Sequence, residues 1–225
     1  MTDAITPQFK SDSPRFLDAL RYAATLHAAQ VRKATSIPYV AHLLSVAGIA
    51  IEHGADEDEA IAALLHDAPE DCGGLPVLAE IRKRFGERVE QIVAACSDTF
   101  ETPKPPWVER KVQYIAHVRA ASPSVRLVSM SDKLHNARAI LADYRELGDA
   151  VFSRFKRGES HSVLWYYRRL ADEFSAADSS SRLAQELDRV VSELEKLSLG
   201  DNDDARAERR RMYDELNDSL AAALH

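Results

Sequence analysis

Cysteine is scarce in this chain. Only Cys72 and Cys96 occur among 225 residues, with no C-x-x-C pair, so a disulfide framework is excluded. No apolar stretch approaches the roughly 20 residues needed to cross a bilayer. The segment Met1 to Phe16 is polar and broken by Pro7 and Pro14, and lacks the apolar core of a signal peptide. A basic excess is also missing. Lysine and arginine number 29 against 36 acidic residues, a net charge of −7, which argues against attachment to DNA, RNA or an anionic membrane. A local pair such as Arg32-Lys33 still suits a phosphate-bearing ligand. Internal repeats, low-complexity tracts and runs of strand-like alternation are absent too. These absences leave a cytoplasmic globular chain as the plain expectation. Its 45 % apolar content fills one domain, or one domain with an appendage.

What is present is helical periodicity, and an all-α fold is predicted. Ser13-Pro14 opens a first helix whose stripe is Phe16, Leu20, Ala23, His27 and Val31. Leu43 to Ile51 makes a second, ending near His53-Gly54. Asp56 reads as the N-cap of a third, from Glu57 to about Asp67. Pro69 lacks an amide donor and should bend the chain there, and Gly73-Gly74 closes the segment. Leu75–Phe85 and Glu87–Cys96 follow as helices. A loop with three prolines spans Asp98 to Pro106. Trp107 to Ala121 is helical again, and Ser122-Pro123 starts a long helix with Leu127, Met130, Leu134, Ala137, Leu141 and Tyr144 on its buried stripe. His161 to Phe174 is helical, and Ala176 to Ser181 is a small-residue linker. The seam Leu183, Leu187, Val190, Leu194 and Leu197 then needs an occupant. Either this chain's own domain covers it, or a second copy does, making an oligomer through the C-terminal helices. A last charged helix carries Met212, Leu216 and Leu220. The expected organisation is one helical domain over residues 13–176 with a C-terminal helical extension over 177–225.

The chemistry is concentrated at His66-Asp67, which follow the apolar run Ala60 to Leu65. A polar pair held against residues that demand burial needs a partner or costs several kcal/mol, of order 2–7. A divalent metal ion is a fitting partner for a neutral imidazole beside a carboxylate. His42 lies upstream and Asp132 downstream, so His42, His66, Asp67 and Asp132 form a candidate ligand set drawn from three helices. Mixed nitrogen and oxygen ligation suits Mn²⁺, Fe²⁺ or Zn²⁺. Neighbouring residues on a helix diverge by about 100°, so an ion held by both His66 and Asp67 must lie close to a helix end. Glu70 and Asp71 suit a different role, taking a proton from water and giving one to a leaving oxygen. As a plain alternative they form an exposed acidic turn.

Arg32 and Lys33 read either as cations complementing the C-terminus of the first helix or as groups that neutralise phosphate and stack on a base. Asn136, one turn after Asp132, shares its helix face and would bind a ribose hydroxyl or orient Asp132. His27 reads as a core histidine, His135 as structural, and Cys72 as a bystander.

The ordered segments His27-Ala-Ala-Gln30-Val-Arg32-Lys33, Pro38-Tyr39-Val-Ala-His42, Ala63-Leu-Leu-His66-Asp67-Ala-Pro-Glu70-Asp71, Phe85-Gly86, Lys111 with Tyr114, and Ser131-Asp132-Lys133-Leu134-His135-Asn136 together resemble a known family. They are similar to HD-domain phosphohydrolases of the RelA/SpoT hydrolase type, especially the stand-alone small alarmone hydrolases. The resemblance implies an all-α domain holding Mn²⁺ that removes the 3′-pyrophosphate from guanosine tetra- or pentaphosphate, (p)ppGpp, or from adenine analogues. By position it implies His42, His66, Asp67 and Asp132 as metal ligands and Glu70 and Asp71 as the acidic pair that handles the water. Arg32 and Lys33 match residues around the base and phosphates, and Asn136 matches a nucleoside contact. Ala29, Pro69 and Ala139 depart from the family pattern, and the chain is one residue longer between Arg32 and His42. Those departures leave guanine and adenine both open. Two alternatives accompany this reading: the same site acting on another phosphoester, such as a nucleoside monophosphate or NADPH, and a module that binds alarmone without cleaving it.

Overall fold

The computed structural model describes residues 9–100, 103–154, 160–200 and 203–223. Regular structure among them is helical, apart from one isolated bridge between Val31 and Pro38. The chain divides into two compact units. One holds the described residues through Phe100 with Ser122–Ser131, and the other holds 103–121 and everything from Asp132 on.

In the first unit, helix α1 (Pro14–Leu26) starts with proline at its first position, where the missing amide costs no hydrogen bond. It stops five residues short of Val31, which was expected on its stripe. The His27 amide closes the helix on the Ala23 carbonyl at 3.1 Å, and the Ala28 amide donates to Thr25 at 3.4 Å. Residues 30–39 then find their own backbone partners: Arg32 N–H donates to Ile37 at 2.8 Å and Tyr39 N–H to Gln30 at 2.9 Å. Ala34 takes φ +59° at the turn between them. Arg32 and Lys33 therefore sit on a tight loop and not at a helix end, so the helix-terminus account of their charge falls away.

Helix α2 (Val40–Glu52) begins three residues earlier than predicted, which puts His42 in its first turn. Helix α3 (Glu57–Leu65) carries the expected cap in full. The Asp56 carboxylate accepts from Glu59 N–H at 3.0 Å, and Glu59 accepts in return from Asp56 N–H at 2.9 Å. Every residue from Ala60 to Leu65 is buried, and α3 packs against α1, α2 and α6. Full burial of side chains such as Ile61, Leu64 and Leu65 stabilises by roughly 1.5–3 kcal/mol each. The helix ends at Leu65, and the chain restarts as α4 (Ala68–Cys72) with Pro69 in its first turn. Pro69 thus works as expected, and His66-Asp67 occupy the joint. Gly73 (φ +143°) ends α4, and a Cβ there would also meet Val77 Cγ2 at 3.0 Å. Helices α5 (Leu75–Phe85) and α6 (Glu87–Cys96) have the predicted bounds.

The second unit contains α7 (Trp107–Ala120), the later part of α8 (Pro123–Leu147), a 3₁₀ segment (Gly148–Arg154), α9 (Ser160–Ala177), α10 (Arg182–Leu199) and α11 (Asp203–Ala223). Helix α9 packs against α7, α10 and α11. Leu183, Leu187, Val190 and Leu194 are buried, while Leu197, expected on the same seam, is 46 % exposed. The seam is thus used inside the chain, on α9. Along α8, Val128 through Asp132 are five consecutive buried residues, the first four in the first unit. Its buried positions include Val128 and Ile140, whereas Leu127 and Tyr144 are only half-buried. The expected boundary after residue 176 falls inside this unit, at the end of α9.

Candidate metal centre

Three of the four predicted ligands meet in the first unit. His42 comes from the first turn of α2, and His66 and Asp67 from the joint between α3 and α4. One ligand atom from each lies within 4.8 Å of the others. His42 Nε2 is 3.4 Å and His66 Nε2 3.1 Å from Asp67 Oδ2. The imidazoles are 1 % and 2 % exposed, and the carboxylate is 24 % exposed at the rim.

The orientation of His66 is set by its backbone. Its Nδ1 lies 2.9 Å from the Ala63 carbonyl, which only accepts, so Nδ1 carries the proton and Nε2 presents a lone pair when the ring is neutral. Tyr39 OH donates to Asp67 Oδ2 at 2.6 Å. The Tyr39 ring packs edge-on against His42, at 5.4 Å between centroids, and stacks on His27 at 5.0 Å. Two imidazoles and a carboxylate, with one tautomer fixed, fit a borderline divalent cation such as Mn²⁺, Fe²⁺ or Zn²⁺.

The acidic pair is close by in sequence and differently held. Glu70 Oε2 accepts from the Asp98 amide at 3.3 Å. Asp71 Oδ2 accepts from the Gln30 side-chain amide at 2.8 Å, and Gln30 Oε1 lies 2.7 Å from His27 Nδ1. Loss of hydration around the Asp71 carboxyl raises its pKa, the Gln30 hydrogen bond opposes that rise, and the Asp67 and Glu70 charges add to it. Cys72 Sγ is 3.6 Å from the Leu26 carbonyl, and burial first, then the Asp71 and Asp67 charges, push its thiol up to about 11. Cys72 is thus a neutral thiol at ordinary pH, consistent with a bystander.

The substrate-contact candidates are placed as follows. Arg32 lies with its guanidinium carbon 5.9 Å from the Tyr39 ring centroid, and Lys33 is exposed on the same loop. Asp132 and Asn136 belong to the second unit, on α8. Asn136 Nδ2 donates to Asp132 Oδ1, and Lys133 Nζ donates to Asp132 Oδ2 at 2.6 Å while lying 5.0 Å from the Tyr114 ring centroid. Burial opposes the Lys133 charge, but Asp132 outweighs it and the ammonium is held well above its ordinary pKa. Sequence reasoning gave no role to Tyr39, Gln30 or Lys133. A hydroxyl three positions before His42 and an amide three after His27 were the available signals.

Residues 19–156 match the family model described as HD domain, and the chain belongs to that family. Among its relatives, the Xenopus tropicalis protein named guanosine-3′,5′-bis(diphosphate) 3′-pyrophosphohydrolase MESH1 is 38 % identical over 131 residues, 57 % of this chain and 70 % of its own length. The Homo sapiens protein of that name is 34 % identical over the same shares. Among solved structures, one described as a metazoan ortholog of SpoT that hydrolyzes ppGpp superposes with a TM-score of 0.65 at 25 % identity, covering 85 % of this chain and 98 % of that one. A Listeria monocytogenes EGD-e structure gives a TM-score of 0.59 at 30 % identity, covering 68 % of this chain and 97 % of its own.

Proposed function

We propose that the protein is a metal-dependent pyrophosphohydrolase that removes the 3′-pyrophosphate from (p)ppGpp or its adenine analogues. The observation that carries this reading is the convergence of His42 Nε2, His66 Nε2 and Asp67 Oδ2, one ligand atom each, within 4.8 Å. The names of relatives at 34–38 % identity support the substrate class. In this reading Asp132 completes the ligand set and Mn²⁺ is the ion. A divalent ion held there supplies Lewis-acid polarisation of the phosphoryl group and lowers the pKa of water.

The side chains do the rest. Glu70 and Asp71 take the proton of the attacking water and return one to the 3′-oxygen as its bond to phosphorus breaks, releasing pyrophosphate and the 5′-nucleotide. Asp71, with its raised pKa, is suited to hold a proton in passing. Tyr39 fixes the Asp67 carboxylate from outside the ligand set. Arg32 and Lys33 neutralise phosphate and stack on the base, and Asn136 contacts the nucleoside.

Residues 13–176 would then be the hydrolase domain and 177–225 its extension. Burial of the α10 seam on α9 favours intrachain packing over a dimer contact, so light scattering should return the mass of one chain. No helix among the described residues is long and apolar enough to cross a membrane, and with a net charge of −7 a small nucleotide in the cytoplasm is the expected partner.

The test is incubation of purified protein with ppGpp and Mn²⁺, nucleotides being resolved chromatographically. Appearance of GDP and pyrophosphate is expected. Their absence under metal-replete conditions rejects this substrate. A parallel panel with the adenine analogue, nucleoside monophosphates and NADPH reads the base preference and any other phosphoester. Tight ppGpp binding without turnover would mark a sensor instead.

A further inference from the structure

We propose that His27 and Gln30 are positioning residues that aim the Asp71 carboxylate at the reacting water; this rests on Asp71 handling the proton. His27 lies at the end of α1 and is 2 % exposed, stacked on Tyr39 with 17° between ring planes. Its Nδ1 lies 2.7 Å from Gln30 Oε1. An amide oxygen only accepts, so His27 donates, and that choice fixes which end of the Gln30 amide faces the ring. The NH₂ end is then left pointing away, and it donates to Asp71 Oδ2 at 2.8 Å, across 41 residues of sequence.

Cys72 Sγ is 3.6 and 3.7 Å from the two His27 ring nitrogens. Near-equal distances place the sulfur against the ring, and do not single out one nitrogen as its partner. Tyr39 stacks on the imidazole and Cys72 touches it, while the Gln30 contact sets its donor direction. Tyr39 also donates to Asp67. One aromatic stack thus holds the carboxylate of the metal cluster through Tyr39 and the proton-handling carboxylate through His27 and Gln30. The two carboxylates are kept in mutual register by side chains outside the proposed ligand set.

The experiment is a double-mutant cycle in the Mn²⁺-loaded enzyme, reading kcat and KM for ppGpp, bound metal and melting temperature. Gln30→Ala should lower kcat by about tenfold, the low end for loss of an outer hydrogen-bond partner, with KM within about twofold. Metal content and melting temperature should be unchanged. Gln30→Glu should lose more, because a carboxylate would then face Asp71. In an Asp71→Asn background, Gln30→Ala should have no further effect on kcat. His27→Phe keeps a flat ring against Tyr39 but removes the donor, and should match Gln30→Ala; if it does not fold, the Gln30 variants decide. An arm without turnover follows the ¹³C resonance of the Asp71 carboxyl, whose midpoint should rise in Gln30→Ala.

Equal kcat losses from Gln30→Ala in both backgrounds would overturn the positioning role, as would an unmoved Asp71 titration. Full activity in Asp71→Asn would instead remove the proton role on which the proposal stands. An enzyme inactive on ppGpp with a shifted Asp71 midpoint would sink the substrate and keep the Gln30–Asp71 link.

Discussion

Two carboxylate sites sit in different units and are held by different kinds of partner. In the first unit, Asp67 Oδ2 takes a phenolic hydroxyl at 2.6 Å and faces two imidazole nitrogens at 3.1 and 3.4 Å. In the second, Asp132 is held by the Lys133 ammonium at 2.6 Å and by the Asn136 amide. The Tyr39 hydroxyl and the two imidazoles steer the Asp67 carboxylate. Asp132 has been given a charge of its own, which makes its burial tolerable. Two further carboxylates repeat the contrast. The Asp71 pKa is raised, chiefly by loss of hydration, whereas Glu173 is lowered by the hydrogen bonds of Arg119, which reaches both its oxygens at 2.7 and 2.8 Å. Asp71, a candidate for chemistry, and Glu173, a structural partner of Arg119, are thus shifted in opposite directions.

The sharpest break of this contrast is Asp67→Ala. It should remove bound metal and activity together, with a loss beyond the ~100-fold ceiling of outer-shell changes. Metal analysis beside the hydrolysis assay measures both. Glu70→Ala should cost ~10²–10⁴-fold in kcat while the metal is retained; loss of the ion there would make Glu70 a ligand instead.

Lys133→Met tests the other side of the comparison. It leaves Asp132 buried without its ammonium, so unfolding in urea should show a loss of about 3 kcal/mol. An unchanged midpoint would mean that Asn136 alone suffices.

The smallest effects are those of pH. Glu173 has a folded pKa below its ordinary 4.5, so its contribution is present above 4.5 and is lost as pH falls through the lower folded value. Glu173→Gln should therefore be less stable than the parent at pH 7, with the gap closing below pH 4.5. Asp71 has a folded pKa above its ordinary 3.8, so its ionised form opposes folding. Asp71→Asn should be slightly more stable than the parent at pH 7, and that gain should vanish below pH 3.8. Paired melting curves across pH read both signs.

Much of the frame could be read from residues alone. The Asp56 cap, the bounds of α5 and α6 and the break before Pro69 follow local rules of capping, glycine and proline chemistry, and the structure keeps them. The end of α1 was not legible. The apolar spacing runs on to Val31, but residues 30–39 pair with one another, and periodicity cannot register such a competing set of backbone bonds. Leu197 was read into the α10 seam for the same reason, since spacing tells which residues share a face and not how far a partner helix extends.

Residue types and their order determined an all-helical chain, the three residues of the metal cluster and the acidic pair beside them, because metal-ligand chemistry and helix signals are local to short segments. Tertiary structure decided which groups hold the Asp67 and Asp71 carboxylates in place. Those outcomes depend on Tyr39 reaching Asp67 across 28 residues and Gln30 reaching Asp71 across 41, and a hydrogen bond of 2.6–2.8 Å exists only where the folded backbone brings donor and acceptor together.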